Sequence, residues 1–101
     1  MEDEPELVAA LRRGDPGAFD AIYDRHRPRL FAFLGRLSGD RALAEDLLQE
    51  TFVRLAERAR ELDPATRPLP WLFTVARNLY IDHRRRALLD FDRLRDLALW
   101  P

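Results

Sequence analysis

Hydrophobic residues along this chain recur at helical spacing almost throughout, and β-branched residues never alternate over a strand length, so the pattern predicts an all-α protein. A first short helix is expected over roughly residues 5–13, with acidic residues at its start and Gly14 as its stop. Asp15-Pro16 restarts the chain, because aspartate caps free helical N–H groups and proline suits the first helical position. The second helix then carries Phe19, Ile22, Tyr23, Leu30, Phe33, Leu34 and Leu37. Pro28 lies inside this run and predicts a kink or a short break near His26. Ser38-Gly39-Asp40 ends the second helix and caps a third, expected over about residues 41–61, whose apolar side holds Leu43, Leu47, Leu48, Phe52, Leu55, Ala56 and Ala59.

Residues 63–70 include three prolines and cannot be helical throughout. Beyond them, residues 71–86 read WLFTVARNLYIDHRRR, a fourth helix with Pro70 in its first turn. Leu72, Val75, Ala76, Leu79 and His83 follow the i, i+3, i+4, i+7 rule and form the stripe expected to face a core. Trp71, Asn78, Asp82 and Arg85 form a second stripe, and Phe73, Arg77, Tyr80 and Arg84 a third. Arginine binds phosphate, asparagine reads base edges and aromatic rings stack on unpaired bases, so this helix suits nucleic acid. A plain surface helix with cations near its C-terminal end fits the same pattern. Residues 87–101 are again amphipathic and predict either a short fifth helix or an apolar tail meant for another domain or a partner. The whole reads as a compact bundle of three to four helices.

Charge sharpens this picture only locally. The net charge of −1 conceals a −4 balance over residues 1–50 and a +3 balance over residues 51–101, so any basic site must be confined to the second half. All 17 basic residues are arginine. The 101 residues suit one domain, and 47% hydrophobic residues are too many for a disordered chain. No run is long enough to span a bilayer, and no signal peptide is evident, so no membrane association is expected. Without cysteine there is no disulfide framework or thiolate site, which points to a cytoplasmic protein. His26 and His83 lack neighbours at ligand spacing, so neither metal nor cofactor is expected. No phosphate loop, nucleophile with its base, or zinc-protease motif is present, and enzymatic activity is not expected.

The third helix adds a further signal. Asp46, Gln49, Glu50 and Val53 share one polar-to-mixed face opposite the leucines, which suits either docking against a basic partner helix or ordinary solvation. Three blocks then stand in order: LVAALRRGDPGAFDAIYDRHRPRL, GDRALAEDLLQETFVRL and PWLFTVARNLYIDHRRR. In this order and spacing the chain resembles region 2 of bacterial sigma-70 family sigma factors, in particular the extracytoplasmic-function group, over roughly residues 7–86.

The resemblance implies a role in transcription initiation. It implies that Asp46, Gln49 and Glu50 bind the clamp coiled coil of the largest subunit of core RNA polymerase, with Phe52 and Leu55 behind them. It further implies that residues 62–69 form a loop that captures one flipped base of the non-template single strand of the promoter −10 element. Asp63 and Thr66 are the polar candidates there, beside Arg67. Asn78, Asp82, Arg84 and Arg85 on the basic helix, with Arg77 as a further phosphate contact, are the other DNA candidates. Tyr80 places a large ring where a smaller apolar residue is expected, suited to stacking on DNA, packing against the last segment or contacting a partner. Residues 1–86 are expected to form region 2, and residues 87–101 the start of an interdomain linker. The family's second domain, region 4, is not expected within these 101 residues, whether they are a fragment of a two-domain factor or a natural short protein. An anti-sigma factor is a further expected partner, and the isolated chain is expected to be a monomer. The alternative is a sigma-like interaction module that binds polymerase or an anti-sigma factor without recognising promoter DNA.

Overall fold

A computed structural model describes residues 3–99, and among these the only regular structure is helical. Helix α1 spans Glu4–Arg12, α2 Pro16–Ser38, α3 Arg41–Arg58 and α4 Pro68–Leu99, with a single 3-10 turn at Ala59–Glu61. Three aspartates start the first three helices. Asp3, Asp15 and Asp40 each accept a hydrogen bond from a backbone N–H of the first turn, at Glu6, Gly17 and Leu43. Gly39 ends α2 in the left-handed conformation (φ 65°), and its N–H donates to the Gly35 carbonyl. Asp40 then begins α3 at once, so α2 and α3 are joined by a tight corner.

The core lies where α2 packs against α1, α3 and α4, with α3 also against α4. Leu7 and Leu11 of α1, Ile22, Leu30 and Leu34 of α2, Leu48 and Leu55 of α3, and Leu72 and Ala76 of α4 are all buried. Thr51 is fully buried among them, and its Oγ1 donates to the Leu47 carbonyl at 2.7 Å, which satisfies the hydroxyl within its own helix. Around this centre the rings are half-buried: Phe19, Tyr23, Phe33, Phe73 and Tyr80 pack against the core without being enclosed by it.

Several expectations are corrected here. Helix α2 runs through Pro28 without a break. Pro28 lacks a hydrogen-bond donor, but it is exposed to solvent, and the buried Ile22, Leu30 and Leu34 hold the helix on both sides of it. The fourth helix starts two residues before Pro70, at Pro68, because proline lacks the N–H that first-turn residues leave unused. The connection therefore shrinks to residues 62–67, and Pro68 and Leu69 belong to the helix.

Residues 87–99 form neither a separate fifth helix nor a tail; the last two positions of that predicted segment, Trp100 and Pro101, lie outside the described residues. Residues 87–99 continue α4, giving one helix of 32 residues, about 48 Å long at 1.5 Å per residue. Every described residue from Ile81 onward is exposed. His83 is thus solvent-facing, not part of the core stripe, because α4 leaves the bundle before that turn. Leu72 and Ala76 are buried and Val75 and Leu79 half-buried, as neighbours from α3 run out along the helix. This projection gives the molecule extents of 64 × 25 × 19 Å.

Candidate functional site

The outward face of α3 presents Asp46 and Gln49 to solvent, with Glu50 half-buried beside them. Leu47, Leu48, Phe52 and Leu55 turn the other way into the core, so the 3.6-residue period alone decides which side chains are offered. Glu50 Oε1 pairs with Arg54 Nε at 3.3 Å, one turn along the helix. Both partners are more than a third exposed, so this pair orients the side chains more than it stabilises the fold.

Gln49 lies on the rim of an open groove of about 530 Å³ between α2 and α3. Its floor is aromatic: Phe52 meets Tyr23 with ring centroids 4.7 Å apart and Phe19 at 6.3 Å, edge to face. Arg27 Nε donates to the Tyr23 hydroxyl at 3.0 Å and its guanidinium lies 5.7 Å from the Phe31 ring, which holds the arginine along the groove's edge. Val53, exposed despite being apolar, completes the surface. Sequence reasoning misses Tyr23 and Arg27. Tyr23 follows the apolar spacing of α2 and so reads as a core residue, although the polar hydroxyl of a phenol favours a place at the core's edge.

A second cluster forms where the connection enters α4. Asp63 Oδ1 accepts from Ala65 N at 2.7 Å, and Thr66 N donates to the Asp63 carbonyl at 2.9 Å, so the Asp63 side chain builds the turn. Thr66 and Arg67 follow, and with Pro70, Trp71, Thr74 and Val75 they line an open cleft of about 440 Å³. Thr74 Oγ1 donates back to the Pro70 carbonyl at 3.0 Å, so its hydroxyl is satisfied within the helix, while Thr66, Arg67 and Trp71 remain among the lining residues. Asp63 does not line it.

Further along α4, Asn78 and Asp82 share a separate, smaller cleft with Arg54 and Arg58 of α3. Arg77 is exposed, and Arg84 and Arg85 stand on the projecting part of the helix. Arg84 Nη1 reaches the Tyr80 hydroxyl only at 3.5 Å. Tyr80 itself packs on the edge of the core, not on the last segment, since α4 does not fold back. Phe73 likewise meets Phe33 at 4.9 Å, edge to face, so the third stripe of the helix is partly a packing surface. The structure thus gathers Thr66, Arg67 and Trp71 at one place and Asn78 and Asp82 at another, and leaves Arg84 and Arg85 apart from both. Among the described residues no group of His, Asp or Glu has metal-holding geometry, and no helix is long and apolar enough to cross a membrane.

Residues 22–88 match the model of Sigma-70 region 2. Similar proteins include the ECF RNA polymerase sigma factor SigL of Mycobacterium tuberculosis, 47% identical over 79% of this chain and 46% of its own length. The RNA polymerase sigma factor CarQ of Myxococcus xanthus is 43% identical over 74% of this chain and 43% of its own length, and the ECF RNA polymerase sigma factor SigM of Bacillus subtilis is 43% identical over 66% and 40%. The chain spans somewhat less than half the length of these relatives. No solved structure matches it. The matched residues run from the middle of α2, through the α3 face and both clefts, into the projecting part of α4, and they place the chain in the sigma-70 family, in its extracytoplasmic-function group, as a carrier of region 2.

Proposed function

We propose that this chain serves transcription initiation as the region 2 module of an RNA polymerase sigma factor, with residues 1–86 as the working domain and the remainder as the start of an interdomain linker. The outward face of α3 binds the clamp coiled coil of core polymerase through Asp46, Gln49 and Glu50, with the neighbouring aromatic groove receiving apolar side chains. The cleft at the entry to α4 takes one unpaired base of the non-template −10 strand. Trp71 offers a stacking face and Thr66 a hydrogen bond, while Arg67 and Arg77 meet phosphates. Melting a base-pair step costs on the order of 1.4 kcal/mol in lost stacking. Capturing an unpaired base on an aromatic returns about 1–3 kcal/mol, so a single good cleft offsets about one step. The chemistry of RNA synthesis belongs to the polymerase.

The observation that carries this reading is the open cleft joining Thr66 and Arg67 of the connection to Trp71 of α4. A reading as a protein-interaction module alone is favoured by one feature, the exposed apolar residues Leu88, Phe91, Leu94 and Leu97, which suit an anti-sigma factor. Binding to bacterial core polymerase tests the clamp assignment. Asp46→Ala with Gln49→Ala is expected to weaken binding while leaving the helical circular dichroism unchanged. Unchanged affinity in the double variant removes the α3 face from the contact. Selective binding of −10-type single strands then separates promoter recognition from the interaction-only reading.

A further inference from the structure

Beyond the bundle, α4 continues as an arm from Ile81 to Leu99 in which every residue is exposed. Ile81, Arg84, Leu88, Phe91, Arg95 and Ala98 follow one another in alternating steps of three and four, the spacing of a two-helix seam. Ala87 and Leu94 flank this seam on one side, and Arg85 and Asp92 on the other. Leu88 is 59% exposed, Phe91 62% and Leu94 66%, so the bundle leaves the seam uncovered.

The charges along the arm select what covers it. Its root carries Arg84, Arg85 and Arg86, whereas residues 89–99 hold three aspartates against two arginines. A second copy laid parallel sets one arginine triad beside the other. Laid antiparallel, it sets the basic root of each arm against the more acidic tip of its partner, and charge of this kind fixes orientation and register. In a coil, each seam position of one helix meets the alternate seam position of the other, which aligns Leu88 with Phe91 across the two copies. That register brings Arg85 opposite Asp92 and Ala87 beside Leu94, each contact made twice by symmetry. Asp92 holds Arg95 of its own helix through Oδ1 at 3.7 Å, which leaves Oδ2 for the second arginine. The register also sets Arg84 near Arg95 on the seam, and polar seam positions of this kind lower stability.

We propose that the arm of α4 is a self-recognition surface, through which two copies of this chain pair as an antiparallel two-helix coil over residues 81–98, centred between Leu89 and Asp90. The overlap is about 27 Å long at 1.5 Å per residue. An interface of one short helix on another belongs among weak, transient contacts, far below obligate dimers. Dilute chain is therefore monomeric with its arm uncovered, and concentrated chain is paired. The pairing stands independently of any contact with DNA.

The test is sedimentation velocity of the full chain from about 1 μM to about 1 mM, the range in which weak pairing shows. The mass is expected to climb from 11.9 kDa toward twice that value. Leu88→Ser with Phe91→Ser is expected to keep the chain monomeric throughout. Both side chains are exposed in the single chain, so the bundle stays folded, and circular dichroism of the dilute variant checks this. Arg85→Asp and Asp92→Arg leave the apolar seam untouched. Each alone is expected to weaken pairing about tenfold, because each acts at two symmetry-related contacts. Together they are expected to restore it, since the exchanged charges again oppose one another.

A monomer at every concentration overturns the pairing and leaves the seam to a different protein. Dimers that persist in the serine variant arise from another surface and overturn it as well. Dimers indifferent to the single charge changes, or not recovered by the exchange, overturn the antiparallel register and the proposal with it.

Discussion

His26 sits in α2 with its ring buried (6% exposed), and its Nε2 has no hydrogen-bond partner although Glu4 Oε2 lies 3.5 Å away. Burial pushes its pKa below the usual 6.5, and neighbouring Arg25 and Arg29 push the same way, against the attraction of Glu4. The unfolded chain therefore takes up this proton more readily than the folded one. The contribution to stability is whole above pH 6.5 and is lost as pH falls through the lowered folded value. Urea midpoints measured from about pH 7 to pH 5 should fall, and His26→Gln should flatten that part of the profile. Leucines on α4 grade in the same physical terms. Leu72 is fully buried and Leu79 only half-buried. Leu72→Ala is expected to cost about 2–5 kcal/mol, and Leu79→Ala less, because surrounding water fills the space left by a partly exposed side chain. Chemical denaturation of the two variants checks the order. Both leucines lie on one stripe by spacing; only the neighbouring helices distinguish them.

At the scale of elements, the helix starts are the most legible feature, because capping is local chemistry. Asp15 and Asp40 accept from the N–H groups that their positions before Pro16 and Arg41 foretell. Helix ends are less legible. Nothing between Arg86 and Ala87 signals a stop, and α4 continues through both to Leu99. Propensity sustains that extension: five of the thirteen residues from Ala87 to Leu99 are leucine, and none is glycine or proline. Packing does not, since every described residue past Tyr80 is exposed. A helix of this length without tertiary contacts is marginal in water. Amide hydrogen exchange should accordingly divide α4, with protection along Leu72–Leu79 and rapid exchange beyond Arg85. Uniform protection along all of α4 would mean that the apolar arc of Leu88, Phe91 and Leu94 is covered in solution.

Across the whole molecule, the all-α class, the helix order and the outward placement of Asp46, Gln49 and Asn78 follow from periodicity, because a helix fixes which residues share a face. The blocks that carry the family resemblance are themselves helix faces, so the family can be read from linear order. What spacing along one helix cannot give is the company its residues keep on others. The aromatic groove needs Tyr23 of α2 against Phe52 of α3, which lie 4.7 Å apart but 29 positions apart in the chain. The division of the DNA candidates into two clefts arises from where α3 ends and α4 crosses it, and Arg54 and Arg58 come to line a cleft with Asn78 and Asp82 only through that crossing. Asp63, expected as a base contact, stands in the fold as a turn-former. Local sequence set caps, periods and exposed faces, since each depends on residues within a turn or two of one another. Tertiary packing decided the depth of each side chain, the release of His83 to solvent and the pairing of α3 with α4, since those depend on which surfaces meet and where they stop.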